Sequence, residues 1–197
     1  MKIDFDVVFI GAVLIWVFLI IFFKFKFKKS YTYLFLFTIF YIYICKVLDY
    51  TQFPIIVDEQ IREIMGGQNV WKEANLIPFN LKYFSIKTSI LNILLTIPFG
   101  FGLPFIAKIN FKRIILIGIF LGIFLETLQL IVALLVGFTF RYVDINDVIF
   151  NFSGVLLGYG IFKMFKIVYK FLIQKLDIKL NPFLQYIYEQ NEINTKR

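Results

Sequence analysis

The stretch RYVDINDVIFNFSGVLLGYG, residues 141–160, opens the last long apolar run of the chain with an arginine, two aspartates and an asparagine. Within it Asp144, Asp147, Asn151, Gly154 and Gly158 are separated alternately by three and four residues. At about 100° per residue that spacing puts all five on one helical stripe roughly 80° wide. The stripe is polar at its start and bare further on. Such a face suits a neighbouring helix, a water-filled cleft or a ligand, and does not suit lipid. Asn146 and Ser153 fall roughly 100–180° off the stripe, so alanine at either is expected to be nearly silent.

The surrounding composition decides which solvent this helix meets. Of 197 residues, 27 are Phe and 11 Tyr, only 17% are charged, and the mean hydropathy is +0.81. A water-soluble domain of this length needs more polar surface, so the chain reads as a polytopic, all-α membrane helical bundle. There is no histidine and one cysteine, Cys45. This removes Ser-His, Cys-His and His-ligated zinc chemistry as well as an internal disulfide. No catalytic residue, metal or cofactor is assigned.

Apolar runs long enough for a bilayer fall at about 7–23, 31–48, 88–107, 114–136 and 148–168, five spans. The first is preceded by Asp4 and Asp6 and followed by Lys24, Lys26, Lys28 and Lys29, the reverse of a cleaved signal peptide, so it is expected to be retained. Lys163 and Lys166 in the last run are expected to snorkel toward its cytoplasmic end. With the N-terminus outside, the four lysines above, then Lys108, Lys112 and Arg113, then Lys163, Lys166, Lys170, Lys175, Lys179, Lys196 and Arg197 lie inside. These are 14 of the 21 basic residues, which predicts an N-out, C-in topology. The net charge of +8 is then accounted for by orientation and anionic lipid, with no nucleic-acid partner.

The chain divides accordingly. Residues 1–48 form two N-terminal transmembrane helices, 49–87 an extracytoplasmic segment lying on the membrane, 88–169 a three-helix core, and 170–197 a basic cytoplasmic tail that rests on the surface and frays. In the segment 49–87, DEQIREIM at 58–65 is a short helix candidate. In the core, PFGFGLP at 98–104 is expected to kink or break its helix.

Polar residues recur by phase in the core. Thr88, Asn92 and Thr96 repeat every four residues in the third span, and Gly118, Gly122, Glu126, Gln129 and Ala133 share an arc of about 80° in the fourth. Turning these stripes toward the one in the fifth span places the polar groups in the outer half, as a cleft opening outward with Arg141 above it. Gly118, Gly122, Gly154 and Gly158 read as helix-packing surfaces. Asn92, Gln129 and Asn151 read either as interhelical hydrogen-bond glue or as ligand contacts. Asp144 and Asp147 also fit a simple helix N-terminus. Glu126 is different: a carboxylate near a span centre costs about 2.5–3.5 kcal/mol, so it is expected to be protonated, paired or facing water, and it reads as a functional site with Arg141 as its leading partner.

Taken in order, NLIPF at 75–79, Asn92, IPFGFGLP at 97–104, ETLQ at 126–129 and the opening stretch resemble the VanZ-like family of bacterial membrane proteins. The resemblance covers about residues 70–162, the first two spans matching only as hydrophobic segments. It implies a small all-helical protein of the bacterial cytoplasmic membrane, in a family named for a determinant of resistance to the lipoglycopeptide teicoplanin. The family's polar signature falls on Asn75, Asn92, Glu126, Gln129, Arg141, Asp144, Asp147 and Asn151. Members often carry two adjacent acids where this chain has Asn146-Asp147. The expected partners are membrane lipids and an amphiphile, either a lipoglycopeptide or a lipid-linked cell-wall precursor, engaged without catalysis. The alternative is a metal-dependent enzyme of lipid headgroups, with Asp144, Asp147 and Glu126 around Mg²⁺.

Overall fold

The computed structural model describes residues 2–58, 60, 63–64, 70–80, 84–137 and 142–193. In chain order the elements are β1 (Lys2–Ile3), α1 (Asp6–Phe25), α2 (Tyr31–Gln52), β2 (Ile55–Ile56), the single-turn α3 (Val70–Glu73), α4 (Ile86–Ile106), α5 (Phe111–Val136), α6 (Ile145–Lys175) and α7 (Pro182–Ile193). The long helices α1, α2, α4, α5 and α6 are each apolar and long enough to cross a membrane. They fall on the five expected spans.

Local chemistry sets their ends. Ser30, Ser85 and Asn110 each accept, through the side-chain oxygen, the N–H three residues on, at 3.2, 3.3 and 2.9 Å, and so start α2, α4 and α5. Gly137, at φ 69°, ends α5 in the left-handed conformation that a side chain would resist.

With no water to drive apolar faces together, close backbone approach and interhelical hydrogen bonds hold a membrane bundle. The central helix here is α6, packed on α4 along one side and α5 along another. A Cβ on Gly154 would land on Thr96 Oγ1 and the Ile93 carbonyl, and one on Gly158 on the Ile97 carbonyl. On the facing helix, one on Gly100 would strike the Val155 carbonyl. Toward α5, Gly118 lies under Phe152 and Val155, while Gly122 faces the Val148 carbonyl. All four glycines expected to pack do so, and Gly100 joins them. Val155, Phe162 and Ile114 are fully buried at the centre of this contact.

Peripheral helices are held by side-chain hydroxyls and rings. Trp16 donates to Thr38 Oγ1 at 3.1 Å and Tyr41 to the Ala12 carbonyl at 2.7 Å, joining α1 to α2 although α1 buries no residue. The two-residue strands pair antiparallel, Lys2 with Ile56 and Ile3 with Ile55, so the N-terminus is fastened just beyond the C-terminal end of α2.

Several expectations are corrected. The PFGFGLP stretch does not break α4, which runs as one helix from Ile86 to Ile106. Proline at 98 deprives a carbonyl one turn earlier of its N–H, and Tyr43 of α2 donates its hydroxyl to the neighbouring Leu95 carbonyl at 2.6 Å. A hydrogen bond from a neighbouring helix thus reaches the turn that the proline weakens, while Pro98 and Leu94 themselves stay exposed. Residues 49–52 belong to α2, not to the following segment. The fifth helix begins at Ile145 and continues to Lys175, so the core does not end at 169.

The tail is also more ordered than expected. Tyr169 donates to the Leu184 carbonyl and Tyr186 to the Phe105 carbonyl, each at 2.8 Å, and Ile187 is buried, so α7 is docked on the bundle. Burial, with Tyr33 nearby, pushes the Tyr186 phenol up to about 12, which keeps it a donor. Lys163 lies 5.3 Å from the Tyr159 ring centroid, and Lys166 is buried, so Lys166 does not snorkel into water. Half of the DEQIREIM segment, residues 59, 61, 62 and 65, lies outside the described residues.

Candidate functional site

The polar residues gather where α4 and α6 begin and α5 approaches its end. The organising residue is Asp144. Its carboxylate Oδ1 accepts the N–H of Asn146 at 2.8 Å, capping α6, and the same oxygen accepts Asn75 Nδ2 at 2.8 Å. The chain around Asn75 is laid against it as a strand-like bridge: the Asn75 N–H donates to the Val143 carbonyl, and the Ile145 N–H donates to the Asn75 carbonyl, both at 2.9 Å. Asn75 Oδ1 in turn accepts the Ile77 N–H at 3.3 Å. Asn75 thus fastens the NLIPF loop over the head of α6, and it is buried there.

From below, Glu126 Oε2 accepts the Asp144 backbone N–H at 3.0 Å. Arg141, the expected partner of Glu126, lies outside the described residues. The hydrogen bond places this carboxylate against the residue that caps α6. Deeper along the same side, the Thr96 hydroxyl bridges the carbonyls of Asn92 at 2.9 Å and Asn151 at 2.8 Å, tying α4 to α6. Gln129 donates to the Thr51 carbonyl at 3.3 Å, which brings the end of α2 to this site.

Between these elements is a cavity of about 260 Å³. Asn75, Gln129, Asp144 and Asp147 line it, together with Ser85, Thr88, Ser89, Asn146, Phe84 and Tyr142. Of the expected residues, Asn92, Glu126 and Asn151 do not line it; Glu126 and Asn92 bond Asp144 and Asp147, which do, and the Asn151 carbonyl accepts from Thr96 below. Two amide atoms at this end, Asn146 Nδ2 and Asn151 Oδ1, are buried without a hydrogen-bond partner among the described residues, while the Asn92 side chain pairs with Asp147. Buried polar atoms in native proteins are nearly always paired with protein, water or ligand. The cavity wall therefore holds unused donor capacity at Asn146.

Asn146 corrects the helical-phase argument. It was expected to point away from the stripe, yet it is 3% exposed, accepts the Phe79 N–H at 2.8 Å through Oδ1 and lines the cavity. The stripe was drawn for the interior of a helix, whereas at its first turn a loop wraps the end, so a second face is covered as well. Phe79, held by that bond, has φ 56°, a strained setting for an aromatic residue. The Ser153 hydroxyl donates to the Ile149 carbonyl of its own helix at 2.8 Å. Ser85 and Ser89 were missed, and a serine cap followed by a serine one turn later was the available signal.

Among the described residues, no group of three His, Cys, Asp or Glu side chains could hold a metal ion. Oδ1 of Asp144 and Oε2 of Glu126 are already occupied by N–H donors. Chemically, the lining can offer hydrogen bonds from amides, hydroxyls and carboxylates to a polar group.

The fold and site together define a multi-pass membrane protein of five apolar helices with a polar cleft at one end. A family model described as VanZ/LLP1 matches residues 9–166, and the chain belongs to this family. The match begins in α1, so the first two spans are part of the family unit and not merely hydrophobic segments. Comparison with curated proteins and with solved structures finds no match.

Proposed function

We propose that this protein is a non-catalytic membrane component that engages the headgroup of an amphiphile in the polar cleft and thereby contributes to resistance against teicoplanin-like glycopeptides. The amphiphile is the lipoglycopeptide itself or a lipid-linked cell-wall intermediate. The protein would reside in the bacterial cytoplasmic membrane, N-out and C-in, with the cleft on the outer face.

The observation that carries this reading is the cavity lined by Asn75, Asn146, Asp144, Asp147 and Gln129 with the Asn146 Nδ2 donor unused. Its mixed donors and acceptors complement a sugar or peptide headgroup better than a bare hydrocarbon. The link to glycopeptides rests on the resistance determinant for which the VanZ-like family is named.

The test is susceptibility of a bacterial host expressing the wild type or Asp147→Ala at matched membrane abundance, with teicoplanin and an acyl-free glycopeptide compared. Protection expected against the lipid-bearing drug is lost in the variant. Equal protection by both proteins would remove the cleft from the function. Protection that disappears on chelation would instead favour metal-dependent headgroup chemistry.

A further inference from the structure

The seam between α2 and α4 holds two cavities that share Tyr43 and Pro98 and no lining residue with the polar cleft. The one toward the C-terminal end of α2 has about 560 Å³ and includes Lys46, Asp49 and Tyr50. The other has about 350 Å³ and an almost wholly apolar lining, closed at its far end by Phe165 of α6 and Ile187 of α7. The seam is charged at one end and apolar at the other.

Its dimensions suit a lipid. From Leu36 to Phe53 the wall follows α2 for about 25 Å at 1.5 Å per residue, most of a hydrocarbon core of about 30 Å. Gly102 keeps the apolar part open, since a Cβ there would come within 3.0 Å of the Phe40 ring. At the mouth, Lys46 Nζ and Asp49 Oδ2 are 3.0 Å apart, with side chains 73% and 34% exposed. An exposed pair of this kind holds its members weakly. A purely anionic headgroup would meet Asp49, and a purely cationic one would meet Lys46. A headgroup with both charges offers each side chain a new partner.

We propose that this seam is a phospholipid site, with hydrocarbon in the joined cavities and a headgroup of phosphate and primary ammonium at Lys46 and Asp49. It is separate from the polar cleft and stands whether or not the cleft binds an amphiphile.

The experiment reconstitutes the full chain in vesicles of equal phosphatidylethanolamine and phosphatidylglycerol, extracts it in mild detergent and records native mass spectra. The wild type is expected to retain one phosphatidylethanolamine with a preference of roughly fivefold or more, about the discrimination that one added ionic contact supplies. Ile39→Trp fills the apolar chamber from an exposed lining position and should abolish retention. Asp49→Asn should retain a lipid and lose the preference. Equal retention of the two lipids by the wild type would overturn the site. So would unchanged retention by Ile39→Trp, or an Asp49→Asn protein that keeps the full preference.

Discussion

Glu126 Oε2 accepts the backbone N–H of Asp144 at 3.0 Å, so an acid in α5 steadies the residue that caps α6. The two carboxylates are not equivalent: one holds backbone from inside the bundle, the other holds Asn75 and the first turn of the helix. Replacing either acts on the position of the loop before it acts on any ligand.

Glu126→Gln retains an oxygen for the Asp144 N–H, whereas Glu126→Leu leaves that N–H without an acceptor. An unsatisfied buried donor costs about 1–3 kcal/mol. In detergent the leucine variant is therefore expected to melt clearly below the wild type and the glutamine variant close to it. Equal melting of all three proteins would show that the bond contributes nothing to stability.

Asn146→Ala removes the acceptor for the Phe79 N–H and a wall of the cavity, while Ser153→Ala removes only an internal bond to the Ile149 carbonyl. Teicoplanin protection is expected to fall with the first and persist with the second. Hydrogen exchange at the Phe79 amide should accelerate only in Asn146→Ala. Unchanged exchange there would contradict the anchoring of the loop.

Alanine at Gly154 or Gly158 forces α6 away from the Ile93 and Ile97 carbonyls of α4, an overpacking that typically costs about 1–3 kcal/mol. Gly11 and Gly160 face open space, and alanine at either should be neutral or gain up to about 1 kcal/mol of helix preference. Thermal unfolding of the four variants separates the groups. Similar melting shifts in all four would mean that the close approach is not tightly packed.

The N-out topology predicts that Leu76→Cys, an exposed site in the loop over the cleft, reacts with an impermeant thiol reagent in intact cells on a Cys45→Ser background. Labelling only after lysis would invert the orientation and place the cleft inside.

The five spans and the packing glycines were legible because 3.6-residue periodicity and bilayer thickness act along continuous sequence. The cleft was legible in part, since Asp144, Asp147 and Gln129 declare themselves by phase or depth, and Asn75 by resemblance. Asn146 was not, because its burial comes from a loop 67 residues away that folds across the helix end. The unbroken course of α4 was hidden for a similar reason: the hydroxyl beside its proline comes from Tyr43, on another helix. Nor did composition reveal that Pro182–Ile193 would dock, because that depends on two tyrosine hydroxyls finding carbonyls on other elements.

The short ladder between residues 2–3 and 55–56 has a practical meaning for anyone attaching a reporter. It fixes the start of the chain on the same face as the polar cavity, while an odd number of crossings carries α7 to the opposite face. A fluorophore fused ahead of Lys2 would sample the compartment onto which the cleft opens, and one fused after α7 would sample the other.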